Sequence, residues 1–151
     1  MSNNRKQILS QIADLFESQR LAVLSTQKDG QPYANLVAFA ATQDLGQIIF
    51  LTPRNTRKYE NLTTNPKVAV LINNSRNEVD DIDKAICVTA TGTAKAISDD
   101  HKGALLDLFL ERHPHLETFS NSPETALVCI SVNTFILVSQ FQEVVEVHKN
   151  I

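Results

Sequence analysis

A chain of 151 residues with 42% hydrophobic content is long enough to bury one core and shows no sign of a second. A net charge of −3, with no basic stripe, excludes a nucleic-acid binder, and no apolar run reaches the length of a membrane span. Met1-Ser2-Asn3-Asn4-Arg5-Lys6 leads into an amphipathic pattern rather than a secretory signal core, so the expected location is cytoplasmic.

Ile8, Leu9, Ile12, Leu15 and Phe16 recur at helical spacing and predict a helix over residues 4–18, laid as a lid on a sheet. Residues 21–26 read as a strand, Lys28-Asp29-Gly30-Gln31 as a tight hairpin turn and residues 33–41 as the return strand. A second turn, Asp44-Leu45-Gly46-Gln47, leads to a strand over residues 47–52. Asn55 then reads as the N-cap of a short helix whose apolar face is Tyr59 and Leu62. Lys67–Asn73 is the next strand, and residues 73–84, apolar only at Val79 and Ile82, form a long loop. Residues 85–97, rich in β-branched side chains and interrupted by Gly92, predict a strand bent or bulged at the glycine. Ser98 caps a helix over residues 99–112, and strands over residues 126–138 and 143–148 complete the chain.

Six or seven strands joined mostly by hairpins imply a mainly β fold: an antiparallel barrel with flanking helices, in a single domain over residues 1–151. The four glycines are not clustered and strand–helix alternation is missing, which excludes a doubly wound nucleotide fold.

Thr52-Pro53-Arg54-Asn55-Thr56-Arg57-Lys58 carries the strongest chemical pointer, because it brings cations and a hydroxyl to a helix start. Arg57 and Lys58 fall in the first turn, against the positive end of the helix dipole, where cations are misplaced unless an anion completes the site. The bland alternative is a pair of solvated surface cations; against it, the helix is clamped between two apolar strands. Cys87 and Cys129, 42 positions apart inside apolar runs and without metal-ligand spacing, read as buried reduced thiols. His113-Pro114-His115 reads as a helix stop more than a proton-transfer or metal site, and Asp80, Asp81 and Asp83 lack the alternation of a calcium loop, so no metal is expected. Asn74 and Arg76 of that loop read as ring or substrate contacts, and Tyr59 as a core residue before a stacking one.

The ordered set of residues 31–39, residues 48–52, Thr56-Arg57-Lys58, Asn61-Leu62 and residues 65–71 resembles the pyridoxamine 5′-phosphate oxidase-like family of FMN-binding split barrels. The resemblance spans roughly residues 5–140. It implies a homodimer that holds FMN at the subunit interface, with phosphate contacts at Thr56, Arg57 and Lys58 and ring contacts at Leu36, Val37, Ala38, Leu51 and Thr52. It also implies a flavin-dependent reductase or oxidase acting on a small molecule. The segment over residues 140–147 lacks the basic, substrate-phosphate-binding character of the vitamin-processing oxidases, which points away from pyridoxamine phosphate as substrate. A haem-binding or haem-degrading split barrel, a non-catalytic flavin-binding or sensing module and a deazaflavin protein are the alternatives.

Overall fold

The computed structural model describes residues 2–139 and 143–149, so residues 140–142 of the C-terminal segment lie outside the described part. The chain runs α1 (Ser2–Ser18), β1 (Leu21–Lys28), β2 (Gln31–Ala38), β3 (Ala40–Ala41), β4 (Gln47–Pro53), α2 (Arg57–Thr64), β5 (Lys67–Asn73), α3 (Asp81–Lys84), β6 (Cys87–Ile97), α4 (Gly103–Arg112), α5 (Glu117–Asn121), β7 (Thr125–Ser139) and β8 (Glu143–His148). The eight strands among the described residues join one antiparallel sheet in the order β2-β1-β5-β6-β7-β4-β3, with β8 on β7.

Period-two alternation decides which side chains meet. Ala22, Leu24 and Thr26 of β1, Val68, Val70 and Ile72 of β5, and Val88 and Ala90 of β6 point to one face, where Ile12, Leu15 and Phe16 of α1 close over them. The sheet curls around this cluster into a half-barrel. On β7 the inward row runs Ala126, Val128, Ile130, Val132 and then changes phase to Phe135 and Leu137. The register against β6 shifts at Thr91 and Gly92, so the predicted irregularity at the glycine is a β-bulge. Glycine is required there because a Cβ would stand 2.1 Å from the Ser131 carbonyl oxygen.

The opposite face of β4 and β7 is also buried. Ile49, Leu51, Leu127 and Cys129 pack beneath Phe109 of α4 in a second cluster. That double burial is why residues 48–51 form an unbroken apolar run.

Five expectations are corrected. The predicted strand over residues 33–41 divides at Phe39, which turns inward to meet Phe16 edge-on at 5.8 Å while Ala40 and Ala41 pair with β4; this raises the strand count to eight. The helix predicted from residue 99 is a 3-10 turn over Asp99–His101 followed by α4, because the Ser98 hydroxyl meets His101 Nδ1 and makes no cap bond. The loop over residues 73–84 contains the one-turn helix α3. Asn55 is not the N-cap of α2; Thr56 is. Cys129 is buried and free, but Cys87 is only half-buried.

Candidate functional site

At the start of α2, Thr56 has the extended backbone of an N-cap (φ −103°, ψ 157°), and its Oγ1 accepts from the Tyr59 N–H at 3.3 Å. The same hydroxyl lies 2.9 Å from the Pro53 carbonyl and 3.0 Å from Thr52 Oγ1, so it is bonded within the protein. Thr52 is fully buried and its hydroxyl donates to the Pro53 carbonyl at 3.0 Å. The backbone N–H groups of Thr56, Arg57 and Lys58 have no hydrogen-bond partner among the described residues.

The three cations of this segment have different settings. Arg54 bends back, and its Nη1 donates to the carbonyls of Pro123 and Thr125 at 3.1 and 2.9 Å. Arg57 is exposed and lies over the Tyr33 ring, 5.3 Å from its centroid. Lys58 is half-buried on the helix face it shares with Asn61 and Leu62, and burial pushes its ammonium below the ordinary lysine value. Glu60, the carboxylate of that first turn, pairs with Lys28, and neither Arg57 nor Lys58 has an ion-pair partner among the described residues. Lys28, Asp29, Gln31, Tyr33, Arg57 and Asn61 border a cleft of about 550 Å³ between the β1–β2 hairpin and α2. Unpaired positive charge and free N–H groups at a helix start are chemically suited to an anion of the phosphate class.

Next to the cleft lie two free sheet edges. Among the described residues β2 pairs only with β1, and the Phe39 N–H to Arg20 carbonyl bond (3.3 Å) fixes which of its residues face β1. By antiparallel alternation, the N–H and C=O groups of Ala34, Leu36 and Ala38 therefore point away from the ladder. In β4, the Arg54 N–H donates to Glu124 on the β7 side and Thr42 donates to the Gln47 carbonyl on the other, which leaves the backbone groups of Leu51 facing outward beyond the short β3. The two edges approach each other and form the split in the half-barrel.

The predicted ring residues therefore divide. Leu36 and Ala38 lie on the outer face of β2, Val37 points inward and is buried, Leu51 is buried under α4, and Thr52 points inward. Their side chains do not converge; what Leu36, Ala38 and Leu51 share is outward-facing backbone. Sequence reasoning missed Tyr33, the platform under Arg57, and Asn61, which is buried and donates from Nδ2 to Thr26 Oγ1 at 3.0 Å. Tyr33 was visible as an aromatic on the strand facing the cations; Asn61 as a polar residue on the apolar face of α2.

Other candidates are committed elsewhere. His113 is 1% exposed, and its Nε2 meets the Phe39 carbonyl at 2.8 Å. The Asn74 side chain accepts from the Ile86 N–H at 2.8 Å, and Arg76 offers its backbone N–H to Asp81. Backbone N–H groups from Glu78 and Arg76 hold the Asp81 carboxyl below its ordinary range, and no group of three His, Cys, Asp or Glu among the described residues is placed to hold a metal. Tyr59 packs against the main core. Among the described residues, no helix is long and apolar enough to cross a membrane.

No curated protein is significantly similar to the chain in sequence. Among solved structures, a haem binding protein from Mycobacterium smegmatis superposes with TM-score 0.78 at 16% identity over 87% of this chain, and the chain spans only 54% of it. A Clostridium acetobutylicum protein of the pyridoxinephosphate oxidase family, related to general stress protein 26 of B. subtilis, gives TM-score 0.74 at 16% identity and covers 94% of both chains. An FAD-binding protein from Mesorhizobium loti gives 0.66 at 17% identity, over 83% of this chain and 89% of its own. These likenesses establish the split-barrel fold. The sequence model of the pyridoxamine 5′-phosphate oxidase family matches residues 8–139, nearly the whole sheet, and the chain belongs to that family.

Proposed function

We propose that the chain, as one domain, is an FMN-binding flavoprotein, an oxidoreductase of the reductase or oxidase kind acting on a small molecule, and that it works as a homodimer. The observation that carries the reading is the desolvated Lys58 beside three N–H groups at the start of α2, none of them with a carboxylate or hydrogen-bond partner among the described residues. A dianionic phosphate complements that set in charge and in hydrogen-bonding sense. In this reading Arg57, held by Tyr33, and Lys58 contact the phosphate, and Thr56 contributes its backbone N–H because its hydroxyl is engaged. Leu36, Ala38 and Leu51 offer the polar edge of a ring their outward backbone groups, with Val37 and Thr52 forming the wall behind. FMN supplies hydride and single-electron transfer when bound. The protein's part is to bind, orient and exclude water. No side chain is assigned a proton transfer, since His113 already faces a carbonyl.

A second copy is the proposed cover for the outer sheet face, where Leu21 is 53%, Leu36 62% and Val144 61% exposed beside the half-buried Val23, Leu71 and Ile136. Its placement over Leu36 brings it to the proposed ring site.

The absorption spectrum of the purified protein, alone and after mixing with FMN, tests the reading. Flavin bands with a released chromophore of FMN mass are expected; a colourless protein that ignores added FMN would refute it. A Soret band instead would assign the site to haem, the ligand of the M. smegmatis relative. Bleaching of bound flavin by a reduced nicotinamide separates an enzyme from a sensing module.

A further inference from the structure

One row of the β1–β2 hairpin faces α2. Thr26 and Lys28 are successive inward positions of β1, and Tyr33 stands opposite Thr26 on β2. Thr26 Oγ1 accepts from the buried Asn61 at 3.0 Å, Lys28 pairs with Glu60, and the Tyr33 ring carries the Arg57 guanidinium. The Thr26–Asn61 bond sets the height of α2 along the strand, so the next inward residue, Lys28, meets the neighbouring helix residue, Glu60. Asp29 and Gly30, with φ of 52° and 81°, turn the chain straight after Lys28 and return it toward Tyr33.

This pairing is not the one α2 would make alone. Arg57 and Glu60 are three positions apart on one helix, the spacing at which opposite charges commonly pair, and both border the cleft. The Lys28 ammonium, through its hydrogen bond and its charge, and Arg57 to a lesser extent hold the Glu60 carboxyl below its ordinary range, so the carboxylate senses both cations. Among the described residues it pairs with Lys28 alone. We infer that Lys28 is a positioning residue for the anion site: by holding Glu60 it keeps a carboxylate off Arg57, and the site keeps two positive side chains for a doubly negative group. Lys28 acts through Glu60 and does not itself meet the anion. The inference rests on the anion site of the flavin reading, not on the ring, and adds what gives that site its charge selectivity. Without Lys28, Glu60 turns to Arg57, the guanidinium leaves the Tyr33 ring, and the anion meets Lys58 beside a carboxylate; a dianion loses more by this than a monoanion.

The probe is sulfate, a dianion throughout the neutral range, titrated into the protein while the backbone N–H signals of Arg57 and Lys58 are followed by NMR. Lys28 and Glu60 are 46% and 59% exposed, so breaking their pair leaves the fold in place. Lys28→Met should bind sulfate about three- to tenfold more weakly, Lys28→Arg should bind it as the parent does, and Glu60→Gln should bind it at least as tightly. In Lys28→Met/Glu60→Gln the loss should vanish, because the carboxylate that Lys28 restrained is gone. Unchanged sulfate affinity in Lys28→Met would overturn the inference. So would an equal loss on removing Lys28 with Glu60 present and with it replaced, which makes Lys28 a direct contact or a distant charge. Should Lys28→Met fail to fold, Lys28→Gln carries the same comparison. A parent protein that binds sulfate but not FMN would remove the flavin reading and leave this inference standing; one whose Arg57 and Lys58 N–H signals ignore sulfate would contradict it.

Discussion

Lys58 and His113 are both basic side chains taken from water, but the structure answers their burial differently. His113 has the Phe39 carbonyl, and burial still lowers its pKa from the ordinary 6.5. With a lowered folded value, the unfolded chain takes up its proton first on acidification, so this contribution to stability is present above pH 6.5 and fades as pH falls below it. His113→Ala should cost about 2–4 kcal/mol, through the cavity and the orphaned carbonyl. It should also flatten the dependence of melting temperature on pH in that window; an unaltered slope would assign the acid sensitivity elsewhere. Lys58 has no such partner among the described residues, and burial lowers its pKa from the ordinary lysine value. A bound phosphate would restore the charge, so FMN affinity should weaken as pH rises toward the lowered lysine value, and in Lys58→Met that dependence should shrink; calorimetric titration of both proteins reads it. The cations were visible in the sequence as charges misplaced on a dipole. Which of them is free was not, because the carbonyls that claim Arg54 come from residues 123 and 125, some seventy positions away.

The Gly92 bulge shows how much a strand can disclose in advance. A lone glycine among β-branched residues marks a bend whatever the partner, and the bend lies there. Gly92→Ala, driving a Cβ to 2.1 Å from a backbone oxygen, should destabilise by about 2–4 kcal/mol, and a thermal melt within a degree of the parent would contradict the close approach. The division of residues 33–41 was hidden, because period-two alternation passes through Phe39 without interruption and only its docking on Phe16 turns the chain toward β4. The N-cap of α2 was hidden for a related reason. Asn55 and Thr56 are both good caps by type, and the choice falls to the one whose hydroxyl also reaches Thr52 and Pro53. The order of strands, turns and the two longer helices was legible from periodicity; the free edges of β2 and β4, which define the candidate ring site, depend on long-range pairing that no local pattern encodes.

For the whole molecule, the outer sheet face and the split make one joint expectation. Leu21 and Leu36 are 53% and 62% exposed; under the proposed homodimer, small-angle scattering should give twice the 16.8 kDa chain mass, and Leu36→Glu should shift the protein toward monomer while weakening FMN. A stable monomer that binds FMN fully would separate assembly from ligand binding and contradict the proposed cover. The anion site at the head of α2 is the centre of the account, and titration of FMN into the unaltered protein and into Arg57→Ala/Lys58→Ala tests it most directly. Removing two charge-assisted contacts should weaken FMN at least about a hundredfold while the ligand-free fold is kept; equal affinity in the two proteins would place the phosphate elsewhere and contradict the account.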